Sequence, residues 1–452
     1  MSAPYPPHVV AVVGGATAGA EAAAILAERG VVVAVFEQNP RPYGKIEDGL
    51  PRWHVKLRKK EYDTINEKLD RPNVHFVPNT RIGRDVEFPA LAREWGFTAV
   101  LLAHGAWRDR PLPVEGADAY VGLGLVYQNP FIYWFNHYPE AGYDGPRYAI
   151  ADGTIVVGGG LASIDVVKVV QLELVRRALA GRGIDEDVLH LEHEGIPAAL
   201  AAHGLEWAQL GLRGATLFYR RRIEDMPLAE VPEGADAARA AKFEATRRKI
   251  LEKAMQKYCF AVRPRMVPVG LLVERERLAG LRFQHTRVEG RRAVPVAEAF
   301  EDVRTPMVVS SIGSIPESID GIAQDDALYR YTEPRYGRLE GYDHVFATGN
   351  VITGKGNIAV SRRHSIEVAS HVVESFLGLT NGHAGEERLL EGASRAAAEG
   401  GKQLAEWVAG RPRLAAADAQ RLLARIQERQ RAVGYEGDYR AWLARVTPPD
   451  LA

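Results

Sequence analysis

The stretch AVVGGATAGAE, Ala11 to Glu21, returns as IVVGGGLASID, Ile155 to Asp165, and the two superpose residue for residue with Gly14 on Gly158. Each is a β-branched apolar run that ends in glycines and passes directly into small residues, the pattern of a strand, a tight turn and a helix start. After the first copy, AGAEAAAILAERG reads as helix and VVVAVF as a second strand. After the second, LASIDVVKVVQLELVRRALAG and a polar helical stretch lead to the strand ATLFYRRR. The chain therefore contains two βαβ units, and such units demand parallel sheets covered by helices. TAVLLAHGA, MVVSSIGS and DHVFATGN supply further buried strands, and from about Glu386 the pattern turns to alanine-rich, charge-speckled helices.

A glycine turn between a strand and a helix is suited to a diphosphate. Gly14 allows the tight turn, a small residue at Ala16 lets the backbone approach the anion, and Gly19 lets the helix pack closely, with Gly15 and Ala18 beside them. The helix N-terminus then offers free N–H groups. About twenty residues on, Glu37 ends VVVAVFE next to Gln38, where a carboxylate can accept hydrogen bonds from ribose hydroxyls. In the second unit Gly158, Gly160 and Ser163 take the three pattern positions, and Leu161 and Ala162 open the helix. The end of its second strand carries Arg220, Arg221 and Arg222 in place of an acid, and guanidinium groups there suit a 2′-phosphate. One site thus prefers a plain ribose and the other a phosphorylated one. The reading that joins them is FAD in the first and NADPH in the second, with hydride passing between.

At 452 residues, 46% apolar and 25% charged, the chain can bury a large core and divide into two or three domains. A formal net charge of −1 excludes a strong whole-molecule field for nucleic acid or membrane, so electrostatic partners must meet local patches. Cys259 is the single cysteine, which excludes a disulfide framework, a CxxC redox pair and a cysteine-ligated iron–sulfur cluster within the chain; no metal site is assigned. The opening MSAPYPPHVVAVVGG has no basic region before its short apolar run, and a cytoplasmic protein is expected.

FIYWFNHYPE and GLPRWH carry a more specific likeness. Phe131, Trp134, Asn136 and Pro139, with Phe135 in a tyrosine place, fit a Phe-x-x-Trp-Tyr-Asn-x-x-Pro stretch, and His54 stands five residues after Gly49. Together with LLAHGA and VFATGN, these make the chain resemble the two-dinucleotide-fold flavoprotein reductases, specifically the adrenodoxin-reductase type of ferredoxin–NADP reductase, over most of positions 8 to 380. The resemblance implies an α/β fold with two Rossmann-like dinucleotide-binding domains plus C-terminal helices. It makes the FAD domain discontinuous, 1–115 and 306–384, with the NADP domain 116–305 inserted; the helical extension 385–452 lies outside it. It implies flavin contacts at Gly44, Lys45, His54, Gly105, Ala106, Gly349, Asn350, Gly356, Asn357 and Ile358, and a place for Glu230 near the nicotinamide. His54 is expected to hydrogen-bond near the ring or shuttle a proton, its ordinary pKa being near neutral. The family resembles Gly-Trp-x-Lys-Arg-Gly-Pro-Thr-Gly where this chain reads GNVITGKGNIA: Gly349 and Gly354 fit, whereas Asn350, Thr353 and Lys355 do not.

Two basic tracts bear on partners. HVKLRKK holds Lys56, Arg58, Lys59 and Lys60, and KFEATRRKILEKAMQK holds Arg247, Arg248 and Lys249. A local positive face built from these suits an acidic one-electron carrier such as ferredoxin. Two other outcomes stay open: reduction of a small molecule such as a quinone, and an electron-distributing subunit similar to the small subunit of glutamate synthase, docked by the C-terminal helices. Cys259 and the aromatic run FIYWFNHY are expected to pack as core.

Overall fold

A computed structural model of the chain describes residues 8–229, 236–290, 292–333, 337–353, 374, 378–379 and 386–448. Its two principal sheets are built from the two repeats. In the first sheet the strands lie in the order 331–333, 338–339, 345–347, 99–102, 9–13, 32–36, 74–77. All neighbours from Val345–Ala347 to Val74–Val77 are parallel, with Val10 opposite Val33 and Ala99. The strand Val9–Val13 is buried at every position, as its unbroken apolar run requires of a parallel sheet covered on both faces. In the second sheet the order is 125–127, 308–311, 155–158, 216–219, 261–264, again all parallel. Both sheets show the doubly wound order of the Rossmann-like domains that the resemblance implies.

Val308–Ser311 corrects the expected boundary at 306, because it pairs with Leu125–Tyr127 and Ile155–Gly158 in the second sheet. The chain crosses back just beyond it. There Ser314–Ile315 runs antiparallel to Arg108–Asp109, so the outward and return crossings form one small ladder. A three-stranded antiparallel sheet, Met266–Glu274, Arg277–Glu289 and Arg292–Arg304, covers the outer flank of the second domain, with Phe283 stacked on Phe218 at 4.2 Å.

The aromatic helix Gln128–His137 packs as core: Phe131, Trp134 and Phe135 are buried in one cluster with Leu50 and Leu57 of the first domain and Val156 of the second. Asn136 ties the same helix to the first domain by donating to the Glu47 and Leu50 carbonyls at 2.8 and 2.9 Å. Cys259 is partly buried at the edge of the same core, and burial pushes its thiol up to about 11.

The C-terminal helices Glu386–Ala409, Ala416–Ala432 and Tyr439–Val446 pack on the first domain. Leu404, Val408, Tyr439 and Trp442 share a cluster with Val10, Val12 and Phe76. Gly401 lets the first of them approach closely, since a Cβ there would sit 3.1 Å from Ala22 Cα. Gln430 Nε2 donates to the Phe76 carbonyl at 2.8 Å and so satisfies an acceptor on the sheet's edge strand. The expected extension is thus a covering layer of the first domain. Among the described residues no helix is long and apolar enough to cross a membrane.

Candidate active site

Each glycine turn lies where the strand order of its sheet reverses, the crevice in which doubly wound folds bind ligands. In the first, Gly14 has φ +99°, and a Cβ there would come within 2.7 Å of His104 Cα and 2.8 Å of the Ala103 carbonyl oxygen. Only glycine fits at that backbone approach. A Cβ on Gly19 would overlap the Gly14 carbonyl oxygen outright, so the helix Thr17–Glu28 sits directly on its strand. Ala16 is the N-cap, with no side-chain cap, and its carbonyl accepts from Ala20 N; the amides of the first turn are left facing the crevice. Gly105, with φ +75°, and the buried Ala106 follow the neighbouring strand. Gly349 comes from the far end of the chain to the same place, its would-be Cβ 3.0 Å from Ala18 Cβ.

Glu37 closes this crevice. It is buried, and its carboxylate accepts from Gly15 N at 2.8 Å and from Asn39 N at 2.9 Å, which leaves further lone pairs for hydroxyl donors. Burial pushes the carboxyl up to about 7 against these two amides, which pull it down. Gln38 beside it is half-buried. The set fits a dinucleotide: a cradle that Cβ atoms would fill, a helix N-terminus, and two buried polar atoms at its rim, His104 Nδ1 and Asn350 Oδ1, with no hydrogen-bond partner among the described residues.

The second turn repeats the plan with side chains. A Cβ on Gly158 would overlap Ser163 Oγ and the Ser311 carbonyl, and one on Gly159 would overlap the Tyr219 ring. Gly160 caps the helix Leu161–Ala180 and faces open space; Leu161 is buried and Ala162 half-buried. Ser163 Oγ donates to the Ser311 carbonyl at 2.9 Å, so Ser311, which the motif reading did not single out, lines the turn. The three arginines separate in role. Arg222 pairs with Asp225 at 3.0 Å and Glu244 at 3.4 Å, and Arg221 donates to Tyr219 Oη and the Asp225 carbonyl, both at 3.0 Å. Arg220 is exposed, and among the described residues it has no acceptor.

Other expected site residues fare differently. His54 is 2% exposed at the start of the helix Val55–Leu69, and burial, then the Lys168 charge, pull it down to about 3. Protonation of the ring is thereby disfavoured, against the near-neutral pKa expected. Lys45 directs its ammonium to Asn129 Oδ1 and Ser314 Oγ, at 3.1 and 3.0 Å. Glu230, Gly356, Asn357 and Ile358 lie outside the described residues.

The basic tracts are also redistributed. Arg58 is buried and donates to the Glu47 carbonyl and Tyr62 Oη. Arg247 donates to the Ala229 and Glu224 carbonyls at 2.6 and 2.8 Å, and Arg248 pairs with Glu224. Lys56, Lys59 and Lys60 are exposed on one helix beside Val55, whose exposure is 59%.

Two doubly wound domains, each with a glycine turn at its switch point and joined by a paired double crossing, define an α/β protein with two dinucleotide-binding folds. In sequence the chain is similar to several reductases. It matches cindoxin reductase of Citrobacter braakii at 29% identity over 184 residues, 40% of this chain and 38% of that protein. It matches mitochondrial NADPH:adrenodoxin oxidoreductase of Arabidopsis thaliana at 23% over 355 residues, 72% and 71% of the two chains. FprA from Mycobacterium tuberculosis, solved in complex with NADPH, has the same fold, with a TM-score of 0.56 at 19% identity over 93% of this chain and 100% of that one. The chain spans less than half the length of the first curated relatives it matches. No family model matches it.

Proposed function

We propose that this chain is an oxidoreductase that holds FAD in the first domain, takes reducing equivalents from NADPH in the second, and passes electrons to an acidic one-electron carrier of the ferredoxin kind. The observation that carries the reading is the contrast at the ends of the two equivalent strands, a buried Glu37 in one and an exposed Arg220 in the other. A carboxylate accepts hydrogen bonds from an unmodified ribose; a guanidinium pairs with a 2′-phosphate.

What a bound flavin supplies is the uptake of a hydride and the release of its electrons singly. The chain's own residues bind and orient. The amides of the first turn of Thr17–Glu28 hold the diphosphate, Gly14 and Gly349 admit the backbone's close approach, and Glu37 fixes the ribose. Arg220 selects the phosphorylated nucleotide. His54 is buried beside this domain's core, and its surroundings favour the neutral ring. The exposed residues Lys56 and Lys59 beside Val55, and the exposed Lys249 of the second tract, support a carrier reading.

Anaerobic titration of purified protein tests this. Yellow protein should be bleached by NADPH far more readily than by NADH, and added oxidised ferredoxin should restore the colour. Protein that takes up no FAD on reconstitution ends the reading, and a flavin restored by a quinone and by no carrier protein redirects it to the small-molecule alternative.

A further inference from the structure

Lys45 is the first residue of the short helix Lys45–Asp48, at the end of the loop that presses on the first glycine turn. Its neighbour Gly44 has φ +50°, and a Cβ there would sit 2.9 Å from Ala16 Cβ. The side chain leaves that loop and runs to the place where the chain crosses between domains. Its ammonium donates to Asn129 Oδ1 at 3.1 Å and to Ser314 Oγ at 3.0 Å. Asn129 lies in the first turn of the aromatic helix of the outward crossing; its Nδ2 donates to the Trp107 carbonyl at 2.7 Å, and its backbone N–H is shared by the two Asp109 carboxylate oxygens at 3.2 Å each. Ser314 belongs to the return crossing and pairs with Asp109 across the two-stranded ladder. Trp107, Asp109, Asn129 and Ser314 therefore form one network, and Lys45 is the residue that links it to the cofactor loop.

We propose that Lys45 is a positioning residue: by bonding both crossings where they meet, it fixes the angle between the two nucleotide domains, and with it the approach of the nicotinamide to the flavin. The proposal rests on the FAD and NADPH reading. The electrostatics agree with the geometry. Burial pulls Lys45 down to about 8 and pushes Asp109 up to about 6, each partly restored by the other's charge, so the pair is held out of water at the hinge. Neutral Asn129 and Ser314 oxygens take the ammonium's hydrogen bonds, and a methylene chain without the charge cannot replace them. Misplacing reactants by about an ångström costs up to roughly 10²-fold in rate.

Flavin-loaded Lys45→Met and Ser314→Ala, compared with the unaltered protein by anaerobic stopped flow, decide the matter. For Lys45→Met the limiting rate of flavin reduction at saturating NADPH should fall about tenfold or more, and for Ser314→Ala by a smaller factor. The Kd values for FAD and NADPH, and the rate of reduction by dithionite, which needs no domain alignment, should not change. An unchanged limiting rate in Lys45→Met overturns the proposal, as does weakened FAD binding that accounts for the slower reduction, since Lys45 would then act on the cofactor. If Lys45→Met does not fold, Ser314→Ala alone decides, and an unchanged limiting rate there overturns it. Unaltered protein that binds no flavin, or whose flavin NADPH does not bleach, removes the functional reading and this inference together.

Discussion

At the first turn Gly19 presses on the Gly14 carbonyl, whereas at the matching position of the second turn Ser163 carries a side chain and uses it, donating to the Ser311 carbonyl. At the rim the first unit closes with Glu37, held by two backbone amides inside the protein, and the second with Arg220, exposed at the surface. The same repeat therefore supports two different degrees of closure. In the first the crowding is backbone on backbone, which cannot yield; in the second part of it is a serine hydroxyl and a tyrosine ring, which can rotate. A rigid cradle suits a ligand that stays, and a yielding one suits a ligand that is exchanged at each turnover.

Exchanging the matched residues breaks the comparison most severely. Gly19→Ser should destabilise the protein by about 3 kcal/mol or more, because the overlap is with backbone that has nowhere to move, and the purified variant should carry little flavin. The reciprocal Ser163→Gly removes two hydrogen bonds, one donated to the Ser311 carbonyl and one accepted from the Ser311 hydroxyl, and should cost about 1–2 kcal/mol. Urea unfolding of both variants measures this; equal costs would mean that the two helices approach their strands alike.

Next in size is the carboxylate. Glu37 binds its proton more tightly in the folded chain, at about 7, than in the unfolded one, at an ordinary 4.5. The folded state therefore holds more protons between those limits, and this group's contribution makes stability fall as pH rises from about 4.5 to about 7. Glu37→Gln should make flavin-free protein more stable than the unaltered form above pH 7, by up to about 3 kcal/mol, with the advantage vanishing near pH 4. The same variant should bind FAD about tenfold or more weakly. Thermal melts at pH 4 and pH 8 with a fluorescence titration of FAD read the opposite signs, and a variant that loses stability at pH 8 contradicts the buried-charge account.

The smallest effect is the most selective. Arg220→Ala should lower the preference for NADPH over NADH by about tenfold, since a charge-assisted contact is worth about 1.5–3 kcal/mol, and should leave FAD content and Tm unchanged. Arg222→Ala should do much less, its guanidinium being already paired with Asp225 and Glu244. A ratio of kcat/KM values that drops for Arg222→Ala and not for Arg220→Ala reverses the assignment.

Periodicity and turn chemistry are local, and what depended on them could be read directly: both βαβ units, the strands Ala99–Leu102 and Val345–Ala347, and the glycines that a backbone approach requires. What could not be read are the partners of long polar side chains. Arg58, Arg222 and Arg247 look alike in a basic run, yet whether each meets solvent or a carbonyl depends on residues distant in the sequence or on its place on the helix. Lys45 stands beside a glycine that suggests a ligand, and its oxygen partners lie at Asn129 and Ser314. The place of Val308–Ser311 in the second sheet was hidden for the same reason: an apolar run says that a strand is buried and not beside which strand.

The covering layer formed by the C-terminal helices has a consequence for how the chain is made. The second domain is one continuous stretch and can close its sheet once Val308–Ser311 has left the ribosome. The first domain begins with the earliest strands but must wait for Val345–Ala347 to pair beside Ala99–Leu102, and for Gln430 and Trp442 to reach Phe76 and Pro40. At roughly 5–20 residues per second this wait is on the order of tens of seconds. During it Phe76, later covered by the rings of Tyr435 and Tyr439, lies on an unfinished apolar edge of the first sheet. The domain that starts first is finished last, and the vulnerable species in biosynthesis is a nascent chain with its second domain folded and its first still open.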